Sequence, residues 1–229
     1  QYTSGSTTNP KGVMITHHNL LQNAAIIQEG FQLDSDSNAF SWLPVYHDMG
    51  LMGGIIQPIY LGLTMTLMSP LLFLQKPLRW LRAISRYRSV ISGAPNFAYD
   101  LCVQKIKPEQ LSDLDLSCWE LAPIGAEPVR AETIENFSRT FGASGFSPSA
   151  FYPCFGLAEA TLFVAGGEKA TAPVRLQVNK DALEQHQVIL EEDMGKAQVL
   201  VGHGHGKLGQ KIIIVDLQSR RECSVGQVG

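Results

Sequence analysis

Short apolar runs alternate along this chain with stretches whose apolar residues recur every three or four positions, a pattern that predicts an α/β protein. Thr16 stands as N-cap before a helix with Leu20, Ala24 and Ile27 on one face, and Gly30 is expected to close it. Phe40–Leu43 predicts a strand ending at Pro44, and Leu63–Met68 predicts another. Pro77 opens a predicted helix to Arg88, followed by a strand at Val90–Ser92 and a helix around Phe97–Lys105. Trp119–Ile124 reads as a strand, and Val129–Phe141 as a helix burying Ile134, Phe137 and Phe141. Such alternation argues for stacked layers with a largely parallel sheet.

Two segments break the rhythm. Gly50–Leu74 carries no charge, but Pro58 and Pro70 interrupt it and Leu63–Met68 alternates, so it predicts a buried helix followed by a buried strand. After Gly167 the texture becomes polar: Ala170–Gly206 shows no clean period. Within it, Val174, Leu176 and Val178 alternate as a strand would, and Val188-Ile189-Leu190 form a short apolar run before the acids Glu191, Glu192 and Asp193. Gln210–Leu217 then predicts a strong strand, with a turn at Arg220-Arg221-Glu222.

Composition narrows the class. The 229 residues are 45% hydrophobic and 17% charged, as in globular proteins, and the net charge of −3 gives no footprint for nucleic acid. The basic residues of Lys76–Arg88 alternate with Leu78, Leu81 and Ile84, as on a solvated helix face. Cys102, Cys118, Cys154 and Cys223 form no CxxC pair, which points to the cytoplasm and away from a disulfide framework. His203 and His205 flank a glycine in a turn and make a poor metal pair. The chain opens on Gln1 without Met or signal peptide and stops at Gly229 without a terminating pattern, so both ends read as cut.

The strongest chemical signal is Tyr2-Thr3-Ser4-Gly5-Ser6-Thr7-Thr8-Asn9-Pro10-Lys11-Gly12. Its glycines permit close backbone approach, its hydroxyls stand beside backbone N–H groups, and Lys11 adds a positive charge. That combination suits the phosphates of ATP. A P-loop of the form GxxxxGK followed by Ser or Thr does not fit, because Pro10 precedes Lys11 and Gly12 replaces the hydroxyl residue.

Residues 2–12 resemble the phosphate-binding signature of the adenylate-forming superfamily of acyl-CoA ligases, luciferases and peptide-synthetase adenylation domains. Ser41-Trp42-Leu43-Pro44-Val45-Tyr46-His47-Asp48-Met49-Gly50-Leu51, Ile124-Gly125-Ala126-Glu127-Pro128 and Phe155-Gly156-Leu157-Ala158-Glu159 resemble its further motifs, in the same order. The resemblance implies that Thr3, Ser4, Gly5, Ser6, Thr7, Thr8, Lys11 and Gly12 bind phosphates. It places Gly125, Ala126, Glu127, Phe155 and Gly156 at adenine, and His47 beside the reacting carboxylate. Glu159 is the implied ligand of Mg²⁺, and Lys11, His47 and Glu159 the implied catalytic set.

Ala158 departs from the general pattern, where Thr is usual. With Phe155–Phe163, Gly93–Cys102 and the insertion-like Ala170–Gly206, it makes the chain resemble the fatty acyl-AMP ligases. Those enzymes pass a fatty acyl group from its adenylate to the phosphopantetheine of an acyl carrier protein. The resemblance divides the chain into an ATP- and acyl-binding core at 1–168, an insertion at 169–206 and the start of a β-rich subdomain at 207–229. A ribose-binding Asp segment and a C-terminal domain with a catalytic Lys do not appear, so a piece of this kind is expected to adenylate poorly by itself. Competing expectations are an ordinary acyl-CoA ligase and a non-catalytic nucleotide-binding remnant. The run Gly50–Leu61, with Pro95–Leu101 facing it, is expected to form the acyl pocket.

Overall fold

The computed structural model describes residues 1–3 and 9–229. A sheet forms its middle layer. Strand β1 (Asn38–Ser41) pairs in parallel with β2 (Thr64–Leu67), and β3 (Ala122–Ile124) in parallel with β4 (Phe151–Gly156), which pairs antiparallel with β5 (Phe163–Gly166). Ile91 joins the two halves by bridging Ala39 on one side and Leu121 on the other, both in parallel. The predicted strand Val90–Ser92 is thus present as a short connecting stretch: the Val90 amide donates to the Asn38 carbonyl, the Phe40 amide to the Ile91 carbonyl and the Ser92 amide to the Leu121 carbonyl. The largely parallel α/β expectation holds across the sheet.

Helices cover both faces. On one side lie α4 (Leu78–Tyr87), α5 (Asn96–Lys105) and α6 (Ala131–Phe141), packed on Phe40, Trp42, Ile124 and Phe151. On the other lies α1 (His17–Phe31), whose Ile26 and Ile27 pack on Leu121, Tyr152 and Phe163. Phe151 and Tyr152 illustrate the strand period: neighbours in sequence, they enter opposite cores. Rings dominate the larger core, with Trp80, Tyr99, Trp119, Phe137 and Phe141 all fully buried.

Helix α1 starts as its sequence predicts: Thr16 Oγ1 accepts the Asn19 amide, and Asn19 returns a bond to the Thr16 amide. Gly30 does not end it. The helix runs to Phe31 and is capped by Gln32 in the left-handed region. Gly30 instead lies against Tyr152, whose hydroxyl would sit 3.0 Å from any added Cβ. The uncharged run resolves into a π-helix (Met49–Ile56), α2 (Gln57–Leu61), β2 and α3 (Pro70–Gln75). Pro58 explains the wide turn, since it has no N–H for the carbonyl of Gly54 and its ring would crowd that carbonyl in α geometry. Among the described residues no helix is long and apolar enough to cross a membrane. Strand β2 is half exposed rather than buried, because it forms the sheet edge.

The later segment departs furthest from expectation. Strands β6 (Arg175–Asn179) and β7 (Ala197–Val201) form an antiparallel pair with α7 (Lys180–Glu184) between them. It docks through Val201, which joins the large core, and through an ion pair of Arg175 with Glu135 on α6. Val178 is fully buried, but Val174 and Leu176 remain 70% and 39% exposed, and Ile189 and Leu190 also face solvent. A two-stranded ribbon that touches the body at one end has no second layer for those side chains. Gln210–Leu217 is not a strand. Only Val215 bridges, to Glu222, and Ile212–Ile214 stay about half exposed. Propensity favours a strand there, yet a strand needs a ladder partner, and the only pairing among the described residues is a short one around that bridge, where the Cys223 amide donates to the Ile214 carbonyl at 2.8 Å and the Asp216 amide to the Arg221 carbonyl at 3.0 Å.

Candidate active site

The candidate residues fall on loops that follow the parallel strands. His47 follows β1, the segment 125–127 follows β3, and Phe155 and Gly156 end β4. Ligands of parallel α/β sheets bind at these carboxyl ends. A cavity of about 910 Å³ opens there, lined by Thr3, His47, Ala126, Phe155, Gly156 and Glu159 from among the expected site residues. Lys11, Gly12, Gly125 and Glu127 do not line it. Ser4, Gly5, Ser6, Thr7 and Thr8 lie outside the described residues.

The stem of the phosphate-binding motif is a hairpin. Tyr2 bridges Gly12, the Thr3 amide donates to the Lys11 carbonyl at 2.9 Å, and the Lys11 amide donates to Thr3 Oγ1 at 3.0 Å. This pairing brings Lys11 beside Thr3 at the cavity rim. Gly125 lies where the chain leaves β3 and crosses β4; a Cβ there would come within 2.5 Å of the Cys154 carbonyl. Ala126 follows with φ 67°, a left-handed conformation that turns the loop toward the cavity. At Phe155/Gly156 the β4–β5 register shifts, and Gly156 lies so close to Leu162 that a Cβ would meet its carbonyl at 2.2 Å. The shift leaves the Phe155 ring 51% exposed on the cavity wall. Glu159 sits on the following turn, exposed and without an ion pair among the described residues.

His47 Nδ1 lies 2.8 Å from Asp48 Oδ1, and the Met49 amide donates to the same oxygen at 2.7 Å. With Nδ1 committed to Asp48, Nε2 is the nitrogen left for a ligand. The hydrogen bond that His47 donates to Asp48 raises the His47 pKa above its ordinary value, against the opposing effect of partial burial. Burial pushes the Asp48 carboxyl up, but His47 and the Met49 amide together outweigh it and hold it below the usual range. Cys154, also on the wall, is pushed up to about 12 by burial and is no nucleophile at neutral pH.

The rest of the wall is apolar. Ile27 and Phe31 of α1 line it with Leu33, Leu63, Met65 and Phe163. Gly53, Gln57 and Pro58 come from the uncharged run as expected, but Pro95–Leu101 does not line the cavity. Helix α5 lies on the opposite face of the sheet, where Ala98, Tyr99 and Cys102 are buried in the large core. The cavity follows β1 from Ala39 past Ser41 to Leu43, about 13 Å at the rise of an extended strand. Sequence reasoning missed α1 as the opposing wall. Its apolar stripe was visible, but a stripe does not reveal which surface it covers.

Among the described residues no cluster of three or more His, Cys, Asp or Glu side chains is placed to hold a metal. A lone carboxylate such as Glu159 suits a magnesium ion bound mainly by substrate phosphates and water.

Fold and cavity define an α/β ligand-binding domain with an elongated apolar channel and a polar mouth at the strand ends. The AMP-binding enzyme family matches residues 1–229, and the chain belongs to that family. It is 46% identical over its full length to a medium-chain-fatty-acid–acyl-carrier-protein ligase, TtuA, of Teredinibacter turnerae, covering 36% of that protein. It is 47% identical to the corresponding ligase JamA of Moorena producens, covering all of this chain and 39% of that one. A fatty acyl-adenylate ligase of L. pneumophila, solved with acyl adenylate and pyrophosphate, superposes with a TM-score of 0.95 at 48% identity. That match covers 99% of this chain and 40% of the other, so the chain spans well under half the length of these relatives.

Proposed function

We propose that this chain is the nucleotide- and acid-binding part of an enzyme that converts a fatty acid to its acyl-adenylate and passes the acyl group to an acyl carrier protein. The observation that carries this reading is a single cavity that joins an apolar wall to His47, Phe155 and Glu159. Similarity to carrier-protein ligases supports the acceptor.

In this reading a carboxylate oxygen attacks the α-phosphorus of ATP, and the bond to pyrophosphate breaks with its electron pair leaving on pyrophosphate. The acid is already ionised at neutral pH, so no general base is needed. His47, its positive charge favoured by Asp48, shields the carboxylate from the α-phosphate and aligns it through Nε2. Phe155 stacks on adenine beside Gly156, with Gly125, Ala126 and Glu127 bordering the base. Lys11 and Gly12, with Thr3, Ser4, Gly5, Ser6, Thr7 and Thr8, cradle the departing phosphates, and Glu159 would hold Mg²⁺, which when bound would supply neutralisation of phosphate charge. The phosphopantetheine thiol of the carrier then attacks the acyl carbonyl and AMP leaves. Residues 1–168 form the ATP- and acyl-binding core, 169–206 an insertion and 207–229 the start of a further subdomain, in a cytoplasmic enzyme of fatty-acid or polyketide metabolism.

The test is pyrophosphate release and carrier loading by the full-length protein with fatty acid, ATP and Mg²⁺. Lys11→Ala and Glu159→Ala should each slow adenylation by about 2–4 kcal/mol, or roughly 30- to 1,000-fold. Wild-type rates in both variants would remove these residues from the machinery.

A further inference from the structure

Two side-chain amides hold the turn that bears Glu159. Gln1 Nε2 donates to the carbonyls of Ala158 at 2.9 Å and Thr161 at 2.7 Å. From the other side Asn23, buried on α1, donates through Nδ2 to the carbonyls of Ala160 at 3.3 Å and Phe163 at 2.8 Å, and its Oδ1 accepts the Phe163 amide at 3.1 Å. Between these anchors Thr161 is buried with φ 74° and ψ −58°, a conformation that a β-branched residue adopts only when its surroundings impose it. Gln1 also belongs to the phosphate hairpin, where its carbonyl accepts the Val13 amide at 2.7 Å.

We propose that Gln1 and Asn23 are positioning residues: their amides clamp the strained turn 158–163 and set Glu159 in fixed register with the hairpin that carries Thr3 and Lys11. Glu159 projects from a single short turn with no salt bridge of its own among the described residues, so its placement depends on what holds that turn. Asn23 ties the turn to α1, and Gln1 ties it to the hairpin. A phosphate chain gripped by the hairpin therefore meets the carboxylate at a set distance. Carboxylate and hairpin are preorganised as one unit before nucleotide arrives. The inference rests on the acid-adenylating reading above.

Gln1→Glu tests it in the full-length enzyme. The substitution keeps shape but replaces both donated bonds with oxygens facing carbonyl oxygens, at a half-buried position outside the hydrophobic clusters. Gln1→Lys restores N–H donors on a longer stem. Two measurements are made: steady-state adenylation, and hydrogen exchange of the 157–163 segment with no nucleotide or metal present. Expected for Gln1→Glu are a fall in kcat of roughly 10- to 100-fold, a higher Mg²⁺ requirement, an unchanged KM for the fatty acid and faster exchange in 157–163. Gln1→Lys should recover most of both effects. Wild-type kcat and Mg²⁺ dependence in Gln1→Glu, or unchanged exchange, overturns the clamp. So does a matching rise in the fatty-acid KM, which would mark general disturbance of the cavity. A wild-type enzyme that made no acyl-adenylate would remove the functional reading instead, and the exchange comparison would still decide the clamp.

Discussion

His47 and Asp48 show how one pair of neighbours tunes the mouth of the cavity. The His47 pKa is raised, so the stability it contributes is present below its ordinary value and is lost as pH rises through the folded value. Asp48 is depressed, so its contribution is present above its ordinary value and is lost as pH falls through the folded one. The pair therefore stabilises most between the two ordinary values, and the contribution falls away from there towards each folded value. Replacing Asp48 by Asn removes the negative charge, leaves only a neutral amide oxygen as acceptor, and should bring the His47 titration back down. An NMR titration of the His47 ring protons checks this, and an identical midpoint in wild type and Asp48→Asn would show that Asp48 does not set it. A second residue-scale case is Tyr152, whose buried hydroxyl has no hydrogen-bond partner among the described residues. A Cβ on Gly166 would come within 2.4 Å of its ring. Tyr152→Phe should leave stability unchanged or raise it by about 1 kcal/mol, whereas Gly166→Ala should lower it by about 1–3 kcal/mol. Chemical denaturation of the two variants measures both.

At the scale of elements, the regular helices were the most legible part of the chain. Thr16 marks the start of α1, Pro77 that of α4, and the spacing of Ile134, Phe137 and Phe141 marks the buried face of α6, because caps and periodicity are local signals. Elements that depend on a distant partner were less so. The apolar run of Gln210–Leu217 has strand composition but pairs only around Val215, whereas Val90–Ser92 does form, bonded to Asn38 and Leu121 on its two sides. The β6–β7 ribbon lies between these cases: its alternation was visible, but only Val178 of the three valine and leucine positions is buried. Because Val178 is buried within the ribbon and is not part of the large core, Val178→Asp should unravel that module while leaving the sheet intact. If the ribbon restricts the acceptor to carrier protein, this variant of the full-length enzyme should keep acyl-adenylate formation and begin to release acyl-CoA. Abundant acyl-CoA from the wild type, or none from a well-folded Val178→Asp, would deny the ribbon that role.

For the whole molecule, the candidate site was legible as a set of ordered motifs and illegible as a volume. His47, Ala126, Phe155 and Glu159 converge because each follows a strand or turn at the same end of the sheet. Asn23 escaped notice although it interrupts the apolar stripe of α1 four residues before Ile27. A polar residue at a buried helical position signals a tertiary hydrogen bond, but not which chain segment receives it. The acyl wall was half foreseen: the 50–61 run contributes, while its opposing surface comes from α1 and not from α5. That geometry makes alkyl burial the central claim, at about 0.8 kcal/mol for each methylene removed from water. The most direct measurement is adenylation by the full-length protein across a series of straight-chain acids, read as pyrophosphate released. kcat/KM should climb steadily from short to medium chains as the channel beside β1 fills. A flat or falling profile, or a preference for an amino acid, would contradict the account.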